Sequence, residues 1–157
     1  MPPRKPVLDQ ASVPVAVKLS ALWASTMFMY VYVDIFSFYK PDVVRDILRG
    51  KVWEFDITQA WALGALALMT IPTLMVFLSV GLRPAASRWA NIVVAGLYIV
   101  VSLGNLAGES WTYLYFGAAI EVALLVTIIW YAWKWPRRPT ERFAGPVRRD
   151  ADTRVDP

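Results

Sequence analysis

The chain has 157 residues, enough for one domain, and 57% of them are hydrophobic, with a mean hydropathy of +0.45 that lies above the usual range for soluble proteins of this size. It contains neither cysteine nor histidine, which excludes thiol redox chemistry, disulfides, His-ligated haem and the common zinc sites, and removes the usual general base near neutral pH. The net charge of +4 is distributed for orientation in a membrane rather than for contact with nucleic acid, and no cofactor is implied.

Residues 1–17 contain four prolines and no helical period, and read as a mobile cytoplasmic lead-in. The rest of the chain to residue 135 reads as one membrane domain of four spans: Leu19–Tyr39, Thr58–Leu82, Trp89–Gly108 and Trp111–Trp133. Each is close to the ~20 residues that cross ~30 Å of hydrocarbon. The first span is too long for a signal-peptide core and no A-x-A-like site follows it, so it reads as a retained anchor.

Between the first two spans lies "KPDVVRDILRGKVWEFD". Pro41 suits a first helical turn, Val43, Val44, Ile47 and Leu48 form an apolar stripe, and Gly50 is a natural stop. The segment predicts a short amphipathic helix on the membrane surface or over the bundle. Trp53 and Phe55 fall at headgroup depth, and Asp56 with Gln59 resembles a capping box for the second span.

The second span carries Pro72, with Thr70 and Thr73 placed to re-satisfy freed carbonyls. In "GLRPAASRW", Gly81 stops one helix and Ser87 is positioned to cap the next; "GES" is a tight external turn. These short connections predict an all-α membrane protein, an up-down four-helix bundle in which spans two, three and four are antiparallel neighbours. Beyond residue 135 the chain is rich in proline and charge, and reads as a disordered tail whose basic part lies against anionic lipid. Of the 16 lysines and arginines, 12 fall before the first span, in the second connection and after the fourth span. By the positive-inside rule both termini are cytoplasmic.

Ionisable residues inside a span are expensive and default to functional hypotheses. Two are present, Asp34 and Glu121. By helical rise Asp34 lies ~8–9 Å in from the outer end of its span and Glu121 ~15 Å below Trp111, so the two are not level. Asn91, Tyr98 and Asn105 recur every seven residues with Ser102 between, and share one face of span three. Tyr30 and Ser37 flank Asp34 on its own face. An outward-opening polar cavity lined by Tyr30, Asp34, Ser37, Tyr98, Ser102, Asn105 and Glu121 is the functional reading. The competing reading makes these groups interhelical glue, with Asp34 hydrogen-bonded to span three and a neutral Glu121 donating to a neighbouring helix. Small residues at Ala60, Gly64, Gly96, Gly104, Gly108 and Gly117 suit close helix approach, within the chain or to another protein. The tryptophans read mostly as interfacial anchors, with "WYAWKW" as an inner belt.

The segments "YVYVDIFSFYKP", "IPTLMVFLS", "RWANIVVAGLY" and "IEVALLVTIIWYAWKW" together resemble a bacterial family of small four-span membrane proteins of unknown function, over about Lys18 to Trp135. The resemblance implies the four-helix fold and a family pattern that includes Asp34, Asn91 and Glu121. Relatives carry an acidic residue just before the Ile-Pro of span two, where this chain has Thr70. It implies no activity. With no nucleotide motif, soluble domain or complete catalytic set, the leading expectation is an accessory subunit of a larger integral membrane assembly, such as one that transports lipid or other apolar molecules. The alternative is a small-molecule binder or proton-coupled carrier using Asp34 and Glu121. An enzyme using either carboxylate ranks last.

Overall fold

A chain this apolar satisfies its backbone inside hydrocarbon by helix formation, and the computed structural model, which describes residues 13–136, contains four helices long and apolar enough to cross a membrane. They are α1 (Val15–Ser37), α3 (Gln59–Gly81), α4 (Pro84–Gly104) and α5 (Thr112–Trp133). Between α1 and α3 stand α2 (Pro41–Leu48) and a two-stranded antiparallel hairpin of β1 (Lys51–Val52) and β2 (Phe55–Asp56). The expected lead-in up to residue 12 and the expected tail beyond residue 136 lie outside the described residues.

The helices form a ring in which α1 packs on α3 and α5, and α4 packs on the same two, leaving α1 and α4 on a diagonal. The chain is thus a multi-pass membrane protein with the all-α bundle read from its sequence. One end of the bundle carries the start of α1, the α3–α4 turn and the end of α5; it is called the terminal end below. The other, the hairpin end, carries α2, the β-hairpin and the α4–α5 turn.

Several boundaries differ from expectation for local reasons. Helix α1 starts at Val15, inside the expected lead-in, directly after Pro14. Helix α4 starts at Pro84, whose missing N–H costs nothing at a first turn, so Ser87 is not a cap. Its hydroxyl instead donates to the carbonyl of Ser79 (2.9 Å), one of the carbonyls left open as α3 ends. At the start of α3 the cap is Thr58, which accepts from the Trp61 N–H (3.1 Å). Asp56 is occupied elsewhere, paired across the hairpin with Lys51 (3.6 Å). The hairpin itself was not expected: Trp53, the first central residue of its turn, takes a positive φ of 53°. Helix α2 conforms to expectation, with Pro41 in its first turn and Gly50 just beyond its end at φ 77°.

Burial is uneven along the bundle. The buried residues of α1 are Leu19, Trp23, Thr26 and Tyr30, and those of α3 are Pro72, Met75 and Ser79. No residue of α3 from Gln59 to Ile71 is buried. Helix α4 is buried down its whole inner face, at Ser87, Asn91, Ala95, Tyr98 and Ser102, with the alternating spacing of four and three that keeps side chains on one stripe. The bundle is therefore packed more tightly towards the terminal end; towards the hairpin end the inner positions of α3, Trp61, Ala65, Leu68 and Met69, are half-buried.

The closed half is held by polar groups as well as apolar ones. The fully buried Trp23 indole donates to the Asn91 side-chain oxygen (2.7 Å), which also accepts from the Ser79 hydroxyl (3.0 Å). The Asn91 amide donates back to the Ser87 carbonyl (2.7 Å). One side chain thus ties α1, α3 and α4 together. At the surface of this end, Lys18 lies over the Tyr131 ring, Lys134 over Trp130, and Arg88 over both Trp89 and Trp133. Aromatic rings and cations are spread in the manner of an interfacial belt.

Candidate functional site

Proline at 72 leaves α3 without the N–H that would bond the carbonyl of Leu68, four residues earlier. Tyr98 of α4 supplies the missing donor, its hydroxyl bonding the Leu68 carbonyl. Thr73 bonds the Met69 carbonyl (2.8 Å) and Thr70 that of Leu66 (2.8 Å), so the backbone around the proline is saturated. Tyr98 is accordingly part of the scaffold. Its ring packs edge-on against Trp23 (centroids 6.3 Å apart) and tilted against Tyr30 (6.2 Å).

Tyr30 reaches across the diagonal of the bundle, where its hydroxyl and that of Ser102 share a hydrogen bond (2.9 Å). Both residues are buried, at 5% and 1% exposure. Glu121 of α5 lies beside this pair and is itself only 4% exposed. Its carboxyl lies within reach of the Ser102 hydroxyl. Among the described residues the one fully enclosed side-chain polar atom without a partner is Arg88 Nε.

Helices α1 and α5 meet most closely at Val33 and Gly117. A Cβ on Gly117 would stand 2.6 Å from the Val33 Cγ2, so only glycine fits. From this contact Asp34 lies one residue further towards the hairpin end, and Glu121 about one turn towards the terminal end. Asp34 is exposed, and the hydrogen bond expected from it to the third span is not formed. The third span, α4, stands diagonally across the bundle from α1.

The remaining expected members are dispersed. Ser37 is half-buried, its hydroxyl on the Val33 carbonyl (3.1 Å) and against the Tyr113 hydroxyl (3.2 Å). Asn105 stands just past the end of α4, exposed and with no side-chain hydrogen bond among the described residues, because the helix stops at Gly104, short of the expected span end. Of the small residues expected to permit close approach, only Gly117 meets a neighbouring helix. Nothing lies within 4 Å of a Cβ built on Gly64, Gly96, Gly104 or Gly108, and Gly108 serves the α4–α5 turn with φ +80°. Ala60 is exposed in the first turn of α3.

Two polar groupings escaped the sequence reading. The Trp23–Asn91–Ser79 network was hidden because Trp23 was grouped with the interfacial tryptophans, although it precedes the buried Tyr30 by seven residues and shares its face. The second is an ion pair at the hairpin end, Lys40 Nζ to Glu109 Oε2 at 2.6 Å, which ties the two loops of that end. Lys40 also lies 5.8 Å from the centre of the Trp111 ring. With Phe36, Tyr39, Trp111 and Tyr113 it lines a cavity of about 320 Å³.

The chemistry available is therefore two neighbouring carboxylates, one buried and one exposed, beside a tyrosine–serine pair. Among the described residues no three acidic, histidine or cysteine side chains converge, so the donor set for a multivalent metal is not assembled. Residues 15–141 match a family of unknown function (DUF6326). No curated protein and no solved structure matches the chain.

Proposed function

We propose that this chain, which belongs to the DUF6326 family of unknown function, is an accessory subunit of a larger integral membrane assembly. The observation that carries the reading is Asp34, an exposed carboxylate inside an apolar helix, with no hydrogen bond or ion pair among the described residues. A group this costly in hydrocarbon is expected to meet a partner, and this fold leaves that place for another molecule. The open glycines of α3 and α4 support the same reading, since their surfaces admit a close helix neighbour that the chain itself does not provide.

The positive-inside rule places the terminal end in the cytoplasm and the hairpin end outside, in a bacterial cytoplasmic membrane. The exposed apolar flanks of all four spans lie against lipid, with anionic lipid at the basic terminal end. A host that moves lipid or other apolar molecules suits a subunit with so little mass outside the membrane, an analogy rather than a deduction. A second reading, a small-molecule binder or proton-coupled carrier, is favoured by the buried Glu121 beside Tyr30 and Ser102 inside the membrane span.

The test is purification at native expression level in mild detergent, with mass spectrometry of what stays bound. A stoichiometric larger membrane protein supports the subunit. A chain that emerges alone, or with only a lipid or small molecule, refutes it.

A further inference from the structure

The terminal end is basic without compensation. No aspartate or glutamate occurs between residue 13 and Asp34, between Gln59 and Glu109, or between Glu121 and residue 136. Among the described residues this end therefore holds Lys18, Arg83, Arg88 and Lys134 and no carboxylate. Glu121, the acid nearest to it along α5, stands ~18 Å from Trp133 by helical rise. Arg88 is half-buried. Its Cζ lies 5.4 Å from the centre of the Trp133 ring and 5.8 Å from that of Trp89, which sets the guanidinium where α4 begins and α5 ends. No ion pair among the described residues holds it, and its Nε is the fully enclosed polar atom that has no partner.

We infer that Arg88, held against Trp89 and Trp133, binds the phosphate of an anionic phospholipid at the membrane boundary. The inference concerns the opposite end of the bundle from Asp34 and stands whether or not the chain is a subunit. It replaces a diffuse attraction of basic residues for lipid by one built site. Chemistry comes first. A guanidinium presents forked donors that match phosphate, and stacking on indole rings orients it before the ligand arrives. Depth comes next. Tryptophans mark the headgroup level, and a third one, Trp130, lies under Lys134 Nζ at 4.4 Å, so a second cation stands on the same boundary. Trp89, Val93 and Val100 continue down α4 as an exposed apolar stripe, and Trp130 and Val126 do so down α5. A lipid whose phosphate rests on Arg88 therefore finds apolar surface for its chains directly below, which a free phosphate cannot use. Sign decides the headgroup. A zwitterionic lipid would bring its ammonium among these cations, where no carboxylate of the described residues receives it, so the net negative headgroup is preferred.

The test uses the purified, delipidated full-length protein in mild detergent. It is titrated with phosphatidylglycerol or phosphatidylcholine, and the first bound lipid is counted by native mass spectrometry. Phosphatidylglycerol is expected to bind about fivefold tighter, the worth of one basic residue beside an anionic headgroup. Arg88→Gln should bring the two lipids to within about twofold of each other while phosphatidylcholine binding stays unchanged, which also shows that the variant is folded. Trp133→Leu keeps every charge but removes one of the rings that hold the guanidinium, and should lower the preference by about half. Lys18→Gln removes the same charge from α1 and should leave the preference intact. Three results overturn the inference. The first is equal binding of both lipids to the unaltered protein. The second is a loss in Lys18→Gln as large as in Arg88→Gln, which would mean a diffuse basic surface. The third is displacement of phosphatidylglycerol by millimolar inorganic phosphate, which would assign Arg88 to a soluble anion.

Discussion

The most exacting prediction concerns the repair of α3 at Pro72. Tyr98→Phe keeps the ring that packs on Trp23 and Tyr30 and removes only the hydroxyl that bonds the Leu68 carbonyl. A buried carbonyl without a donor costs ~1–3 kcal/mol, and measured side-chain hydrogen bonds within membrane proteins average ~0.6 and reach ~1.7. We expect a loss of about 1–1.5 kcal/mol. In a Pro72→Ala background the new N–H at 72 bonds the Leu68 carbonyl itself, so the tyrosine hydroxyl becomes redundant and its loss should cost under ~0.5 kcal/mol. Pro72→Ala also changes packing at a buried position, but that change is common to both arms of the cycle. The assay is reversible unfolding by sodium dodecyl sulfate in mixed micelles for the four proteins. A coupling energy near ~1 kcal/mol is expected; additivity within ~0.3–0.5 kcal/mol would refute the argument, because it would mean that hydroxyl and proline do not share one carbonyl.

The other predictions use the same assay. Gly117→Ala forces a Cβ to 2.6 Å from Val33 and should cost ~1–3 kcal/mol, with Val33→Ala in the same chain recovering most of the loss. Asn91→Ala strands the indole N–H of Trp23, while the Ser79 hydroxyl keeps the Met75 carbonyl (2.7 Å), and should cost ~1–3 kcal/mol. Lys40→Met leaves Glu109 without its cation. Because Glu109 keeps 31% exposure the loss should be only ~1 kcal/mol, and Lys40→Met with Glu109→Gln should be no worse than Lys40→Met alone. Thr58→Ala removes the cap of α3 and should cost ~1 kcal/mol; no change would mean that the first turn of α3 is already frayed.

Four spans, the surface helix and the carboxylates inside the first and fourth spans were all legible in the sequence, because each rests on a local signal: an apolar run of bilayer length, a proline followed by an i, i+3, i+4 stripe, a charge where none is tolerated. What was not legible depended on how far apart two helices stand. Tyr98 and Asn105 lie on one face by periodicity, yet Tyr98 is spent on a carbonyl exposed by a proline in another helix, and Asn105 falls past a helix end that no residue marks. Ser87 looked like a cap because it is the first serine after a turn, but Pro84 starts the helix a turn earlier and frees the hydroxyl for Ser79. The hairpin was missed for a related reason: two-residue strands carry no period, and Trp53 gives no sign of favouring positive φ.

The two halves of the bundle treat polar groups in opposite ways. Towards the terminal end the buried Trp23, Asn91, Ser79 and Ser87 are bonded to one another, and the break made by Pro72 is closed by Tyr98. The interior of that half is finished without help. Towards the hairpin end the buried network thins to the Tyr30–Ser102 pair with Glu121 beside it, and Asp34 makes no hydrogen bond among the described residues. That contrast between the two ends, with the exposed Asp34 at the less closed one, is what the proposed subunit reading rests on.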